Sequence, residues 1–241
     1  RITHESSAHY THAIERISRD GPLPLSFAQQ RLWFLDQLEP GSAAYHVPIL
    51  IRLTGPLNAN RLEQSIREVV NRHESLRTTF KNVDERPVQV ITPPESWRLN
   101  TIDLSETDEP EREALRRAKV EALRPFDLST GPLLRATLWC VEPDEHILLL
   151  SMHHIVADGW SIGIFATELS AVYNAAPLAE LPCQYADFAQ WQRRQLIGEV
   201  FAWRSPIHRV TGNEADRGPD RLGVAVEPAR AVNNKRGQRG D

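Results

Sequence analysis

The sequence predicts an α+β lobe over residues 22–200, a sheet flanked by helices, followed by a disordered C-terminal tail. Three observations predict it. Leu62, Ile66, Val69 and Val70 recur at three- and four-residue intervals over Asn58 to His73, the spacing of one helix face. Ile147-Leu148-Leu149-Leu150 is apolar at successive positions, so a strand there is covered on both faces and is central in its sheet. After about Val200 the composition changes: residues 201–241 hold 8 basic and 5 acidic groups, net +3, against net −7 for the first 200. Asp216 to Arg221 and Asn233 to Gly240 carry no amphipathic period and read as solvated chain.

The elements follow in order. Residues 1–21 are polar and irregular and read as a linker, closed by Gly21-Pro22-Leu23-Pro24. Ser26 caps a helix carrying Gln30, Arg31, Trp33, Phe34 and Leu38, and Pro40-Gly41 ends it. Val47 to Leu53 is a strand, turned by Thr54-Gly55-Pro56 into the helix at Asn58 to His73. Thr78 to Phe80 and Pro87 to Ile91 form a hairpin across the charged stretch Lys81 to Arg86. From Pro93 to Asp108 the chain is loop with one short strand at Leu99 to Leu104. Glu109 to Leu123 is rich in residues that lose little in a helix, and Pro125 stops it. Strands Leu133 to Val141 and His146 to Met152 are joined by Glu142 to Glu145; a turn at Asp158-Gly159 then leads into a helix capped by Ser161 and running to about Tyr173. Trp33, Phe34 and Phe80 are expected in the core.

Composition excludes several classes. With 28 Lys+Arg against 32 Asp+Glu the formal charge is −4, the wrong balance for a protein that neutralises nucleic-acid phosphates. Apolar runs such as Ile147 to Met152 fall far short of the ~20 residues of a membrane helix. Cys140 and Cys183 are isolated, without the pairing of a disulfide framework or a zinc site, and are expected to be packing residues; no metal site is expected. The N-terminus lacks the apolar stretch of a secretory signal, so a cytoplasmic location is expected. Residue 1 is Arg and the sole Met is Met152, which points to a chain cut or read from something longer.

Chemistry concentrates at His153-His154-Ile155-Val156-Ala157-Asp158-Gly159. Side chains alternate along a strand, so of two adjacent histidines at its end at most one enters any given cavity: one works and the other supports. Imidazole titrates nearest neutrality and is the usual choice for moving a proton off a nucleophile. Asp158 lies too far along to be the automatic partner of His154 and is expected to anchor the loop on an arginine elsewhere. Gly159 permits close backbone approach or positive φ at the start of the next helix.

Four stretches carry a family resemblance: Ser26 to Leu35 (SFAQQRLWFL), Arg72 to Phe80 (RHESLRTTF), Met152 to Ser161 around the HHxxxDG block, and Tyr185 to Trp191 (YADFAQW). Phe126-Asp127-Leu128 with Gly131 to Arg135 adds a fifth. In that order the sequence resembles the condensation domain of nonribosomal peptide synthetases, over about Leu23 to Glu199. The resemblance implies a chloramphenicol-acetyltransferase-like lobe built on a mixed sheet, one of two lobes with a tunnel between them. It implies peptide-bond formation between a donor acyl or peptidyl thioester and an acceptor aminoacyl thioester, each on a carrier protein of an assembly line that also holds adenylation domains. Phosphopantetheine is then carried by the partner carrier proteins, with no cofactor bound by the lobe itself.

By the same resemblance His154 is the base or positioner of the amine, His153 its neighbour, and the Gly159 N–H a donor to the developing oxyanion. Asp158 is structural, bridged to Arg77 or Arg72, and Arg31 is either a supporting residue or a surface ion pair. The likeness ends just after Gly198-Glu199-Val200, where the family continues into a second lobe. A truncation, an assembly artefact or, preferred here, a frame shift accounts for the tail, and the isolated chain is expected to have negligible condensation activity. The competing readings are an HHxxxDG epimerisation domain, an acyltransferase acting on an alcohol, and an inactive lobe that only docks a carrier protein.

Overall fold

A computed structural model of the protein describes residues 13–93 and 97–196; the tail expected to be disordered, 201–241, lies outside the described residues. The larger sheet orders β2 (His46–Thr54), β7 (Glu145–His153), β6 (Leu134–Glu142) and β5 (Asn100–Asp103). It is mixed: β2 and β6 run antiparallel to β7, whereas β5 runs parallel to β6. A smaller antiparallel sheet orders β1 (Leu23–Pro24), β4 (Arg86–Ile91) and β3 (Thr78–Val83).

Strand β7 shows why a run apolar on both faces is central. Leu148, Leu150 and Met152 point into a core formed with Leu62, Ile66, Val69 and Val70 of α2 (Ala59–Arg72) and Phe165 of α4 (Gly159–Tyr173). Ile147 and Leu149 point the opposite way, onto Ala114 and Ala118 of α3 (Pro110–Leu123). Each large apolar side chain buried this way contributes about 1.5–3 kcal/mol. A third cluster, Leu25, Phe80, Phe126, Leu128 and Leu133, joins the small sheet to the big one and takes in Ile155 and Val156 from the loop after β7.

Helix α1 (Phe27–Leu38) begins as expected at Ser26, whose hydroxyl accepts from the Gln29 N–H while the Gln29 side chain accepts from the Ser26 N–H. Two expectations fail. Phe34 is 56% exposed, because the α1 face that packs presents Leu32 and Trp33 to the cluster and leaves Phe34 outside it. Ser161 does not cap α4; Asp158 does, with Ser161 as the returning partner three residues on. Residues 185–196, read only as a motif, form α5 (Tyr185–Leu196).

Helix α5 is fastened to the rest by polar groups. The Asp187 side chain, 0% exposed, accepts from the Gln184 N–H at 2.7 Å, the Ile17 N–H at 3.0 Å and the Arg19 guanidinium at 2.7 Å. Arg19 also donates to Glu74, which follows α2. Burial pushes the Asp187 carboxyl up, but Arg19 and the two amides outweigh it and hold it below the ordinary range. The end of the segment read as linker is thus tied to the lobe. Removing a buried carboxylate leaves its donors unpaired. Asp187→Ala should lower the unfolding free energy by about 3 kcal/mol in urea titrations. Arg31→Ala should change it by less than about 0.5 kcal/mol, because Arg31 is exposed and has no ion-pair partner among the described residues. A loss below about 1 kcal/mol for Asp187→Ala contradicts this assignment.

Candidate active site

Strand alternation separates the two histidines. His154 continues the side of Leu148, Leu150 and Met152, and with Met152 it lines a cleft of about 490 Å³. His153 is 2% exposed and lies on the other side among Tyr45, His46 and Phe126. The backbone holds both: His153 N–H donates to Leu133 O at 3.0 Å and His154 N–H to Tyr45 O at 2.8 Å.

The loop after them is pinned by its own apolar residues. Ile155, Val156 and Ala157 are all buried, the first two in the cluster below α1 and Ala157 against α2 and α4. Burying three successive residues forces the turn. In that turn the His153 ring accepts at Nδ1 from the Ile155 N–H, 3.1 Å away. His154 Nδ1 lies 2.8 Å from Ala157 O. A carbonyl only accepts, so Nδ1 of His154 carries a proton; in the neutral ring Nε2 then holds the lone pair, without a protein partner among the described residues.

His153 is held neutral. Burial pushes its pKa down to about 4, with smaller contributions from His46 and His154. Its role follows from the lone pair: a protonated ring could not accept the Ile155 N–H.

Asp158 sits at the N-terminus of α4 and accepts there from the Ser161 N–H at 2.8 Å. That amide bond, with the Ser161 hydroxyl and the Trp160 N–H, holds its carboxyl below the ordinary range. The expected arginine bridge is absent among the described residues. Arg72 instead donates from Nε to Glu168 at 3.1 Å, and Arg77 donates to Thr92 O at 2.7 Å. The helix-capping site satisfies Asp158 locally, so no distant cation is needed. Gly159 does not have positive φ, and a Cβ there would meet open space, so nothing in the protein's own packing requires glycine. Arg31 is exposed and does not line the cleft.

Sequence reasoning misses a second imidazole at the cleft, His73, and the walls given by Ile164, Leu181, Gln184 and Trp160, the last 82% exposed. His73 stands inside the RHESLRTTF stretch beside Arg72, where the arginines are the more conspicuous candidates. Among the described residues no group of three or more His, Cys, Asp or Glu could hold a metal ion, and no helix is long and apolar enough to cross a membrane.

A mixed-sheet lobe with HHxxxDG at the rim of an apolar cleft defines a class, and the family model for "Condensation domain" matches residues 20–202. The chain belongs to the condensation-domain family of nonribosomal peptide synthetases, with its chloramphenicol-acetyltransferase-like fold. It is 54% identical over 204 residues to a linear gramicidin synthase of Brevibacillus parabrevis, covering 79% of this chain and 4% of that one. Of solved structures it is similar to the X-domain from teicoplanin biosynthesis (34% identity, TM-score 0.66, 78% of this chain and 41% of that one). It is also similar to the starter condensation domain of rhizomide synthetase (26% identity, TM-score 0.67, 73% and 44%). The chain thus spans less than half of each of these solved neighbours and from 1% to 18% of the curated relatives.

The neutral His153 has a consequence for stability. The unfolded imidazole takes up a proton near pH 6.5 and the folded one only near pH 4, so between those values the unfolded state binds more protons and stability falls as pH falls. The contribution is complete above pH ~6.5 and gone below ~4, on the order of 3 kcal/mol. His153→Asn keeps an acceptor at the Nδ1 position but does not titrate. Urea midpoints measured from pH 7.5 to 4 should drop less steeply in that variant than in the parent; parallel curves would contradict the assignment.

Proposed function

We propose that the chain is the amine-presenting lobe of a peptide-bond-forming domain, acting on thioesters delivered by carrier proteins. The observation that carries the reading is the His154 ring at the cleft with Nδ1 2.8 Å from Ala157 O, which in the neutral ring leaves Nε2 as the acceptor. The acceptor amine donates an N–H to Nε2 and its lone pair is aimed at the donor carbonyl. A C–N bond forms as the C–S bond breaks, and the proton lost by the amine passes by way of Nε2 to the departing thiolate. An α-amino group has a pKa near ~8, so it needs little help with its proton, and orientation supplies more of the acceleration. The Gly159 N–H, in the first turn of α4, is the donor to the oxyanion in this reading.

The phosphopantetheine arm belongs to the carrier protein and supplies the activated thioester. Apolar walls such as Leu32, Leu76 and Ile164 suit an aliphatic arm and its acyl group. Carrier proteins and adenylation domains are the partners this reading requires. Because the solved neighbours are more than twice the matched length, turnover in this reading needs a second lobe to close the cleft.

The test is a fusion carrying this lobe in place of the matched segment of the gramicidin synthase relative, mixed with one acyl-loaded and one aminoacyl-loaded carrier protein. Dipeptidyl thioester should form, and His154→Ala should slow it about 100-fold or more with carrier binding unchanged. Full turnover in the variant contradicts the reading. Carrier binding without turnover in either form identifies a lobe that only docks.

A further inference from the structure

The cleft has a second imidazole whose placement the peptide-bond reading does not use. His73, just after α2, lines the same space as His154. Its Nε2 lies 2.6 Å from Oε2 of Glu168, a buried carboxylate on α4 whose other oxygen accepts from Arg72 Nε at 3.1 Å. Burying a carboxylate in a helix packing face is costly unless it is paired, and an apolar side chain would fill the position more cheaply. The guanidinium neutralises Glu168 and leaves one oxygen for a single purpose, fixing the ring of His73.

A carboxylate accepts, so Nε2 of His73 bears the proton and Nδ1 is the nitrogen left over, with no protein partner among the described residues. The ring is only partly buried, so Nδ1 remains accessible. His154 has the opposite arrangement, Nδ1 fixed and Nε2 free. One cleft therefore holds two imidazoles, each oriented by a protein oxygen on one nitrogen and open on the other. Fixing one ring nitrogen to set the tautomer and basicity of the other is how oriented histidines work. A primary amine entering as the neutral nucleophile has two N–H donors and one lone pair, and two acceptors leave that lone pair free to attack.

We propose that His73, oriented by Glu168, is a second amine-binding residue of the cleft, sharing the acceptor's α-amine with His154. The inference rests on the reading of His154 as amine presenter. It is tested on the full chain by ¹⁵N spectra of the histidine rings during titration with leucyl N-(2-acetamidoethyl)amide, a hydrolysis-resistant analogue of an aminoacyl thioester, and with its N-acetylated form. The free amine should shift both His154 Nε2 and His73 Nδ1 with one saturation curve, and the acetylated compound should shift neither. In Glu168→Gln the His73 response should be at least halved while that of His154 persists. A shift of His154 alone overturns the role of His73 and leaves the amine-presenting reading intact. An unchanged His73 response in Glu168→Gln overturns the role of Glu168. Absence of any response overturns both readings together.

Discussion

The turn after β7 depends on an uncharged, buried imidazole. His153 accepts the Ile155 N–H at its own Nδ1, and a lone pair there is available only while the ring lacks its second proton. That bond braces the turn that the burial of the next three residues forces. Ile155 and Val156 enter the cluster under α1, Ala157 enters the core under α2 and α4, and Ala157 O is left where His154 can donate to it. The two histidines of the motif are therefore coupled: the first braces the turn, and the turn places Ala157 O against Nδ1 of the second.

The other motif residues serve the same end from farther away. Asp158 starts α4, so the loop ends where a helix begins and has little freedom between two rigid elements. Gln184 donates to Arg72 O and accepts from the Glu74 N–H, joining the cleft wall to the end of α2. Arg19 bridges Glu74 and Asp187, so residues far apart in the chain meet beside the cleft. Much of the motif sequence thus makes structural contacts around the cleft, a division expected where a site must be held to fractions of an ångström.

Much of this is legible in the sequence, for physical reasons. The α2 period and the apolar run of β7 announce themselves because each element buries a face against a neighbour, and periodicity records burial directly. The placement of His153 and His154 on opposite sides follows from alternation alone. Partner choice is what sequence does not carry. A distant arginine is the natural expectation for Asp158, yet a backbone amide three residues away satisfies it, and local capping outcompetes distant pairing because it orders fewer side chains. The type of Phe34 argues for the core, but the exposed side of α1 is set by tertiary packing. The pairing of His73 with Glu168 joins residues 95 positions apart, and no local pattern encodes such a contact.

His154 can present an amine as proposed only if its ring is preset, before any substrate arrives, with its proton on Nδ1. Long-range ¹H–¹⁵N correlation of the ligand-free protein near neutral pH reads that tautomer directly. The His154 ring should carry its hydrogen on Nδ1, with Nε2 showing the shift of an unprotonated nitrogen. A ring protonated at Nε2 alone would mean that Ala157 does not hold it, and the cleft would present a donor where the proposed amine binding needs an acceptor.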